Sequence, residues 1–376
     1  MITAGEEMGL TRRDELNHPE LEGVGYYSHT IKDGRRVSAS TAFLEPARHR
    51  TNLTIRTNAL VERVVFSGTR AVAVTARVGN QRVIYRAKDE IVLSAGTIMS
   101  PKLLQLSGVG PAAHLESVGV KVVCDSPNVG AGMREHLSMS LPYRLEGTPG
   151  LNRRYRGLGL IPGFAQYYAF HTGPMATGPF EVGAFARTAP EVDRPDMQLY
   201  LSAYSRVGRS YKPERRPGLT IYGQLIHPTS IGSLAITSPD PDAVLTISPN
   251  WLSTGHDRSS AVAMVRYMRQ YVRQDALKSY TGEELSPGDE HQSDAEILSV
   301  FRRLSTSGLH AVGTCGMGRD PAAVVDERLR VRRVHGLRVV DCSVMPGLIS
   351  GNTSGPAMAL GWRAASLLLE DEDSRS

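Results

Sequence analysis

Cysteine is scarce: Cys124, Cys315 and Cys342 are far apart in 376 residues and odd in number. No disulfide framework and no zinc-ligand spacing follows from them, and a reducing, cytoplasmic setting is expected. No stretch approaches the run of about 18 apolar residues that a membrane span needs. The opening Met1-Ile-Thr-Ala-Gly-Glu-Glu lacks the basic start and apolar core of a secretory leader. No Gly-x-Ser-x-Gly occurs, so the common serine-hydrolase elbow is missing. No repeat period recurs. The formal net charge, +5, is small for this length. Arg330-Val-Arg-Arg and Arg153-Arg-Tyr-Arg therefore read as solvated surface, and no nucleic-acid partner is expected. The acidic tail from Glu370 reads as a frayed end.

What is there points to two domains of mixed α/β character, because the length exceeds one ordinary core. After a patternless start, Gly34-Arg-Arg-Val-Ser-Ala-Ser reads as a turn entering a short helix. Leu53-Thr-Ile-Arg-Thr and the alternating runs from Leu60 to Ala87 read as a small antiparallel meander. Glu90-Ile-Val-Leu-Ser-Ala-Gly is a continuous apolar run, the pattern of a strand in a parallel sheet. Ser100-Pro-Lys-Leu-Leu-Gln-Leu reads as a helix capped by its serine. Residues 140–180 carry little pattern and read as a boundary and a candidate lid. Runs at Asp196, Leu219 and Ser233 predict an antiparallel sheet in a second domain. A helix follows from Asp257, with Met264, Val265, Met268, Tyr271 and Val272 on one face and Arg266, Arg269 and Arg273 mostly on the other. Leu337-Arg-Val-Val-Asp is a strand, and the stretch from Ala357 to Leu369 reads as a final buried helix. The expected division is 1–140 with 305–376 as one domain and 141–304 as the other.

Two stretches carry candidate chemistry. In His310-Ala-Val-Gly-Thr-Cys-Gly-Met-Gly an imidazole edges a glycine-rich turn, where Gly313, Gly316 and Gly318 let backbone approach something flat. In Val339-Val-Asp-Cys-Ser-Val-Met-Pro and Ser350-Gly-Asn-Thr-Ser-Gly-Pro an apolar strand ends in Asp341, where open α/β sheets place ligand contacts. A polar cluster around Asn352 then opens a helix whose first amides can face an anion or an electron-rich ring. Taken alone, His310 is more often a structural histidine and Asn352 a turn residue. Gly108-Val-Gly-Pro-Ala-Ala matches the dinucleotide fingerprint in letters only: a helix precedes it, and Pro111 offers no amide.

These stretches resemble the glucose–methanol–choline (GMC) family of flavin oxidoreductases. Gly96-Thr-Ile-Met-Ser-Pro-Lys-Leu-Leu-Gln-Leu-Ser-Gly-Val-Gly-Pro is similar to its second signature, the His310 stretch to its His-x-x-Gly-Thr-Cys-x-Met-Gly, and residues 339–356 to its closing flavin motif. Pro179-Phe-Glu-Val-Gly-Ala-Phe and Ser238-Pro-Asp-Pro-Asp fall in the family's order. The family's opening Gly-x-Gly-x-x-Gly unit, its acidic ribose contact and its first signature are not found. The resemblance thus implies an incomplete doubly wound FAD-binding domain beside a substrate-binding domain. The pyrophosphate cradle would come from a missing N-terminal segment or from another chain. Gly316 stands where the family often has arginine, and Gly132 and Glu135 replace its usual asparagine and aspartate.

The resemblance implies oxidation of a small-molecule alcohol to a carbonyl, with hydride passing to FAD. His310 would take the hydroxyl proton, and Asn352 would bond the alcohol oxygen. Val61 would offer backbone groups to the adenine, and Ser94, Ala95 and Gly96 would line the cofactor. Asp341, Cys342 and the amides near Asn352 and Thr353 would face the isoalloxazine and ribityl region. The alternatives are an inactive remnant that no longer holds flavin, and a lyase of the hydroxynitrile type using the same histidine.

Overall fold

Four strands with apolar residues at alternate positions meet in one sheet: Leu137–Leu145, Val182–Ala186, Met197–Ser202 and Gly218–Leu225. Their neighbours pair antiparallel, Leu199 opposite Ala184 and Gly223, and Met139 opposite Gly223. Gly23–Tyr26 extends the sheet beyond Val182–Ala186, and Thr281–Glu284 extends it beyond Leu137–Leu145. The protein is seen here as a computed structural model that describes residues 1–207 and 212–373. It divides into two units, each made of three stretches of chain.

The sheet belongs to the unit formed by Met1–Arg50, Leu137–His227 and Gly255–Gly308. Strand alternation sorts its side chains onto two faces. One face bears Leu141, Leu199, Leu201 and Ile221, all buried. The helix Gly255–Val272 packs there, with Met264 and Met268 over Gly223. The five apolar positions expected on the inner side of that helix are buried. Arg269, expected on the outer side, is buried as well, because Glu284 receives two of its guanidinium N–H groups at 2.9 Å each. The opposite sheet face is aromatic and amide-bearing. Tyr27, Phe180 and Tyr222 surround Tyr200 with ring centroids 5.2, 5.4 and 5.6 Å away, and Gln198 donates to the Tyr27 hydroxyl at 3.1 Å.

The other unit comprises Thr51–His136, Pro228–Thr254 and Leu309–Ser376. Its meander runs Ala59–Ser67, Arg70–Val78 and Gln81–Arg86, antiparallel throughout. Ile91–Leu93 and Leu337–Val339 pair in parallel, as the continuous apolar run implies. Leu93, Leu103, Cys315, Val339, Val344 and Leu367 share one core. Arg338, on the inner strand, is buried between Glu90 and Asp371, 2.8 and 2.5 Å away. Asp371 thus holds the helix Ser354–Asp373 onto the strand, so the tail is ordered to residue 373; residues 374–376 lie outside the described residues.

Several expectations are revised. Leu53-Thr-Ile-Arg-Thr forms no strand; Leu53 and Ile55 are exposed, with no neighbouring ladder to alternate against. Residues 140–180 contain the rest of one long strand and a helix, Leu160–Phe170, which buries no residue and so leaves no periodic signature. The final helix is mostly exposed, burying Ala364 and Leu367 while Trp362 is 72% exposed. The strand at Ser233 joins a hairpin with Thr246–Ser248, not the large sheet. The chain also divides differently from the expected ranges. Residues 1–50 group with the sheet because Gly23–Tyr26 pairs with Val182–Ala186. Residues 228–254 group with the meander, where the Leu234 amide donates to the Gly130 carbonyl at 2.8 Å.

Candidate active site

The two parallel strands deliver their carboxyl ends side by side, at Ser94-Ala95-Gly96 and at Val340-Asp341-Cys342. Gly96 has φ +84, which lets the chain turn directly into the helix Gly96–Leu106. That helix starts earlier than the serine-cap reading places it. Ser100 is inside it and fully buried, donating its hydroxyl to Asp341 Oδ2 at 2.5 Å. The same carboxylate accepts the Gly96 amide at 2.9 Å and, through Oδ1, the Ser343 amide at 2.8 Å. Asp341 is therefore a clamp between the two strand ends. Its carboxylate is committed to those three donors.

Pro101 sits inside the helix and has no N–H for the Thr97 carbonyl. Thr314 supplies the missing donor: its hydroxyl reaches that carbonyl at 2.6 Å. In return Thr97 donates its hydroxyl to the Ala311 carbonyl, also at 2.6 Å. This reciprocal pair ties the stretch after His310 to the helix. On its other side the stretch forms a short ladder, with Cys315 and Met317 amides 2.8 Å from the Ser343 and Val344 carbonyls. Gly313, at φ +91, passes against Gly132; a Cβ there would lie 2.5 Å from the Gly132 carbonyl oxygen. The glycine thus serves backbone-to-backbone packing.

These ties place His310. Its amide donates to Glu135 Oε1 at 2.8 Å. Its Nδ1 lies 3.1 Å from Nδ1 of His136, and its Nε2 lies 3.2 Å from Asn352 Nδ2. The His136 ring is fully buried, meets His310 edge-on at 81°, and places Nε2 3.0 Å from the Ile349 carbonyl. Burial pushes the His310 imidazole below its ordinary pKa. The structure therefore brings together the two side chains singled out as a reactive pair. Thr353 lies beside them, its carbonyl accepting the Ala357 amide at 2.9 Å to open the last helix. Cys342 is half-buried, and burial raises its thiol pKa.

A second feature lies at the other strand's end. A groove of about 650 Å³ is lined by Val61, Ser94 and Ala95 together with Leu60, Val92 and Met99. Three of the residues expected to line a cofactor thus share one concavity, and Gly96 follows it directly in the chain. Sequence reasoning assigned no role to His136, Thr97 or Thr314, and noted Glu135 only as a departure. A His next to an acid, in a stretch already compared with the family pattern, was the available signal for the first.

Models of the GMC oxidoreductase family match residues 1–138 and 228–361. The chain belongs to the GMC oxidoreductase family. Among the relatives of this GMC chain, the mitochondrial choline dehydrogenase of Homo sapiens is 36% identical over 369 residues, covering 98% of this chain and 62% of its own length. The oxygen-dependent choline dehydrogenase of Ectopseudomonas mendocina (strain ymp) is 36% identical over 371 residues, covering 97% of this chain and 65% of its own length. The chain thus spans less than two thirds of these relatives. Among solved structures, pyridoxine 4-oxidase from Mesorbium loti superposes with a TM-score of 0.85 at 30% identity, covering 97% of this chain and 68% of that one. A formate oxidase superposes with a TM-score of 0.91 at 21% identity, which shows the shared GMC fold.

Proposed function

We propose that this chain carries the reactive centre of an FAD-dependent oxidoreductase that oxidises a small alcohol to an aldehyde or ketone. The single observation behind this reading is the 3.2 Å approach of Asn352 Nδ2 to His310 Nε2. Alcohol oxidation removes a proton from oxygen and a hydride from carbon. An imidazole near neutrality suits the first task, and burial favours its unprotonated, accepting form. His310 Nε2 takes the hydroxyl proton; the Asn352 amide donates to the same oxygen and holds the carbon in one orientation.

The residues at the strand ends fit a flavin nucleotide in part. Small side chains at Ser94 and Ala95 leave the 650 Å³ groove open, and its apolar walls at Leu60 and Val92 suit a flat ring. Val61 there would hold the adenine part, Ser94, Ala95 and Gly96 would line the cofactor, and Asp341, Cys342 and the backbone at Asn352 and Thr353 would face the ring system. Bound flavin would supply the two-electron acceptor for the hydride. The glycine-rich opening unit with which the family holds the pyrophosphate is not found in these residues. We assign that contact to a segment not contained in these residues, on this polypeptide or another. Of the expected FAD-binding ranges, 51–136 and 309–376 stay our cofactor-binding assignment, and of the expected substrate range, 141–227 and 255–304 stay our substrate-recognising one.

Among alcohols we put first those bearing a quaternary ammonium. The similarity to choline dehydrogenases supports this. The free thiols of Cys124, Cys315 and Cys342 support a reducing compartment, the cytoplasm in our reading. Among the described residues no helix is long and apolar enough to cross a membrane. Anaerobic titration of FAD-loaded protein with choline and simple primary alcohols tests the reading. Bleaching of the flavin bands is expected; a protein that holds FAD stably and is bleached by no alcohol would be a different catalyst.

A further inference from the structure

His136, His310 and Asn352 form a hydrogen-bonded chain whose two ends have fixed polarity. At one end stands the Ile349 carbonyl, 3.0 Å from His136 Nε2, and a carbonyl can only accept. His136 Nε2 must therefore carry a proton, and in the neutral ring Nδ1 is then the acceptor. His310 Nδ1, 3.1 Å away, must donate to it. That leaves His310 Nε2 as the accepting nitrogen, and it lies 3.2 Å from the Asn352 amide nitrogen, which can only donate. The assignment is read from the carbonyl, and the placement of the Asn352 amide nitrogen agrees with it. A flipped Asn352 would point its oxygen at an accepting nitrogen, so the carbonyl also orients the amide.

We propose that His136 is a positioning residue that, through the Ile349 carbonyl, holds His310 in the tautomer with its proton on Nδ1 and its basic lone pair on Nε2. His136 is fully buried, and its edge-on contact at 81° restrains the His310 ring orientation as well. Glu135, the preceding residue, fixes the His310 backbone through the amide at 2.8 Å, so two consecutive residues set both the place and the proton of one imidazole. When His310 Nε2 receives a proton, its Nδ1–H still points at an acceptor, so no ring rotation is needed. A neutral imidazole without such a neighbour divides its proton between two nitrogens, and only one of those forms presents a base to Asn352.

The proton assignment is independent of flavin chemistry; its catalytic consequence rests on the reading proposed above. Long-range proton–nitrogen NMR of protein labelled with ¹⁵N in its histidine rings tests the assignment directly, without cofactor or turnover. The wild type is expected to show His310 protonated at Nδ1 and bare at Nε2, with His136 the reverse. His310 protonated at Nε2 overturns the proposal outright. His136→Asn keeps an acceptor oxygen near the Nδ1 position and should retain the His310 tautomer. His136→Leu removes it and should give a mixed or inverted tautomer; a folded His136→Leu protein with the wild-type tautomer overturns the proposal too. If the leucine variant does not fold, the wild-type and asparagine spectra decide. In FAD-loaded protein, kcat should fall on the order of 10²-fold in His136→Leu and recover largely in His136→Asn, with KM little changed. Correct tautomers in a protein that alcohols never bleach would leave the proton assignment standing and defeat the flavin reading alone.

Discussion

Asp341 and His310 are neighbours in one unit and stand in opposite relations to their surroundings. Asp341 accepts three hydrogen bonds from Gly96, Ser100 and Ser343, all within its own fold. His310 is half-buried, and its Nε2 meets an exposed asparagine. From the letters and the resemblance they carry, both are expected to have a part in the site, the acid as a cofactor contact at a strand's end and the histidine as the base. The carboxylate holds two strand ends together, whereas the imidazole is the group to which we assign the chemistry. A charged residue in a motif can be there to build the site, and its hydrogen bonds show which task it performs.

The widest separation of the two roles is expected from His310→Ala. Alcohol-dependent flavin reduction should fall by about 10²–10⁴-fold, whereas unfolding free energy should change by less than about 1 kcal/mol. Comparable loss of both would place the histidine with the scaffold. Next comes Asp341→Ala, which strands two backbone amides and a hydroxyl. Denaturant unfolding should show a loss of about 3 kcal/mol; an unchanged midpoint would mean the clamp contributes nothing. Thr314→Val keeps shape but removes the donor that the Thr97 carbonyl, opposite Pro101, requires. A loss of about 1–2 kcal/mol is expected, with kcat reduced only as far as His310 shifts. A wild-type denaturation curve would refute the idea that this hydroxyl repairs the helix.

The smallest expected effect concerns pH. Burial depresses the His310 pKa in the folded protein, so the unfolded chain takes up that proton more readily. The stabilisation is complete above the unfolded imidazole value of about 6.5 and declines as pH falls through the window below it, down to the lower folded value. His310→Ala should flatten that part of the stability-against-pH curve. The acid limb of kcat/KM should lie below the ordinary imidazole range; a limb above it would contradict burial as the dominant influence.

Much of the architecture was legible because it rests on local periodicity. The meander, the parallel strand at Ile91–Leu93 and the inner face of Gly255–Val272 each announce themselves by alternation, by a continuous apolar run, or by a helical stripe. The exposed helix Leu160–Phe170 was not legible, because a helix that buries nothing leaves no stripe. Arg269 was misplaced because a partner at Glu284, distant in sequence, outweighs the preference of an arginine for water. Ser100 was read as a cap because serine before proline has that pattern. Only Asp341, 241 positions later, shows why it is buried.

The candidate site divides along the same line. Residue type and motif drew attention to an imidazole at 310 and an amide at 352, and the family resemblance gave them their expected roles. No reading of the letters could decide that these two lie 3.2 Å apart, that His136 stands behind one of them, or that Thr314 completes the helix interrupted by Pro101. Each of those facts joins residues from distant parts of the chain. Hydrogen bonds act over about 3 Å, so their partners are named only when folding has brought the segments together.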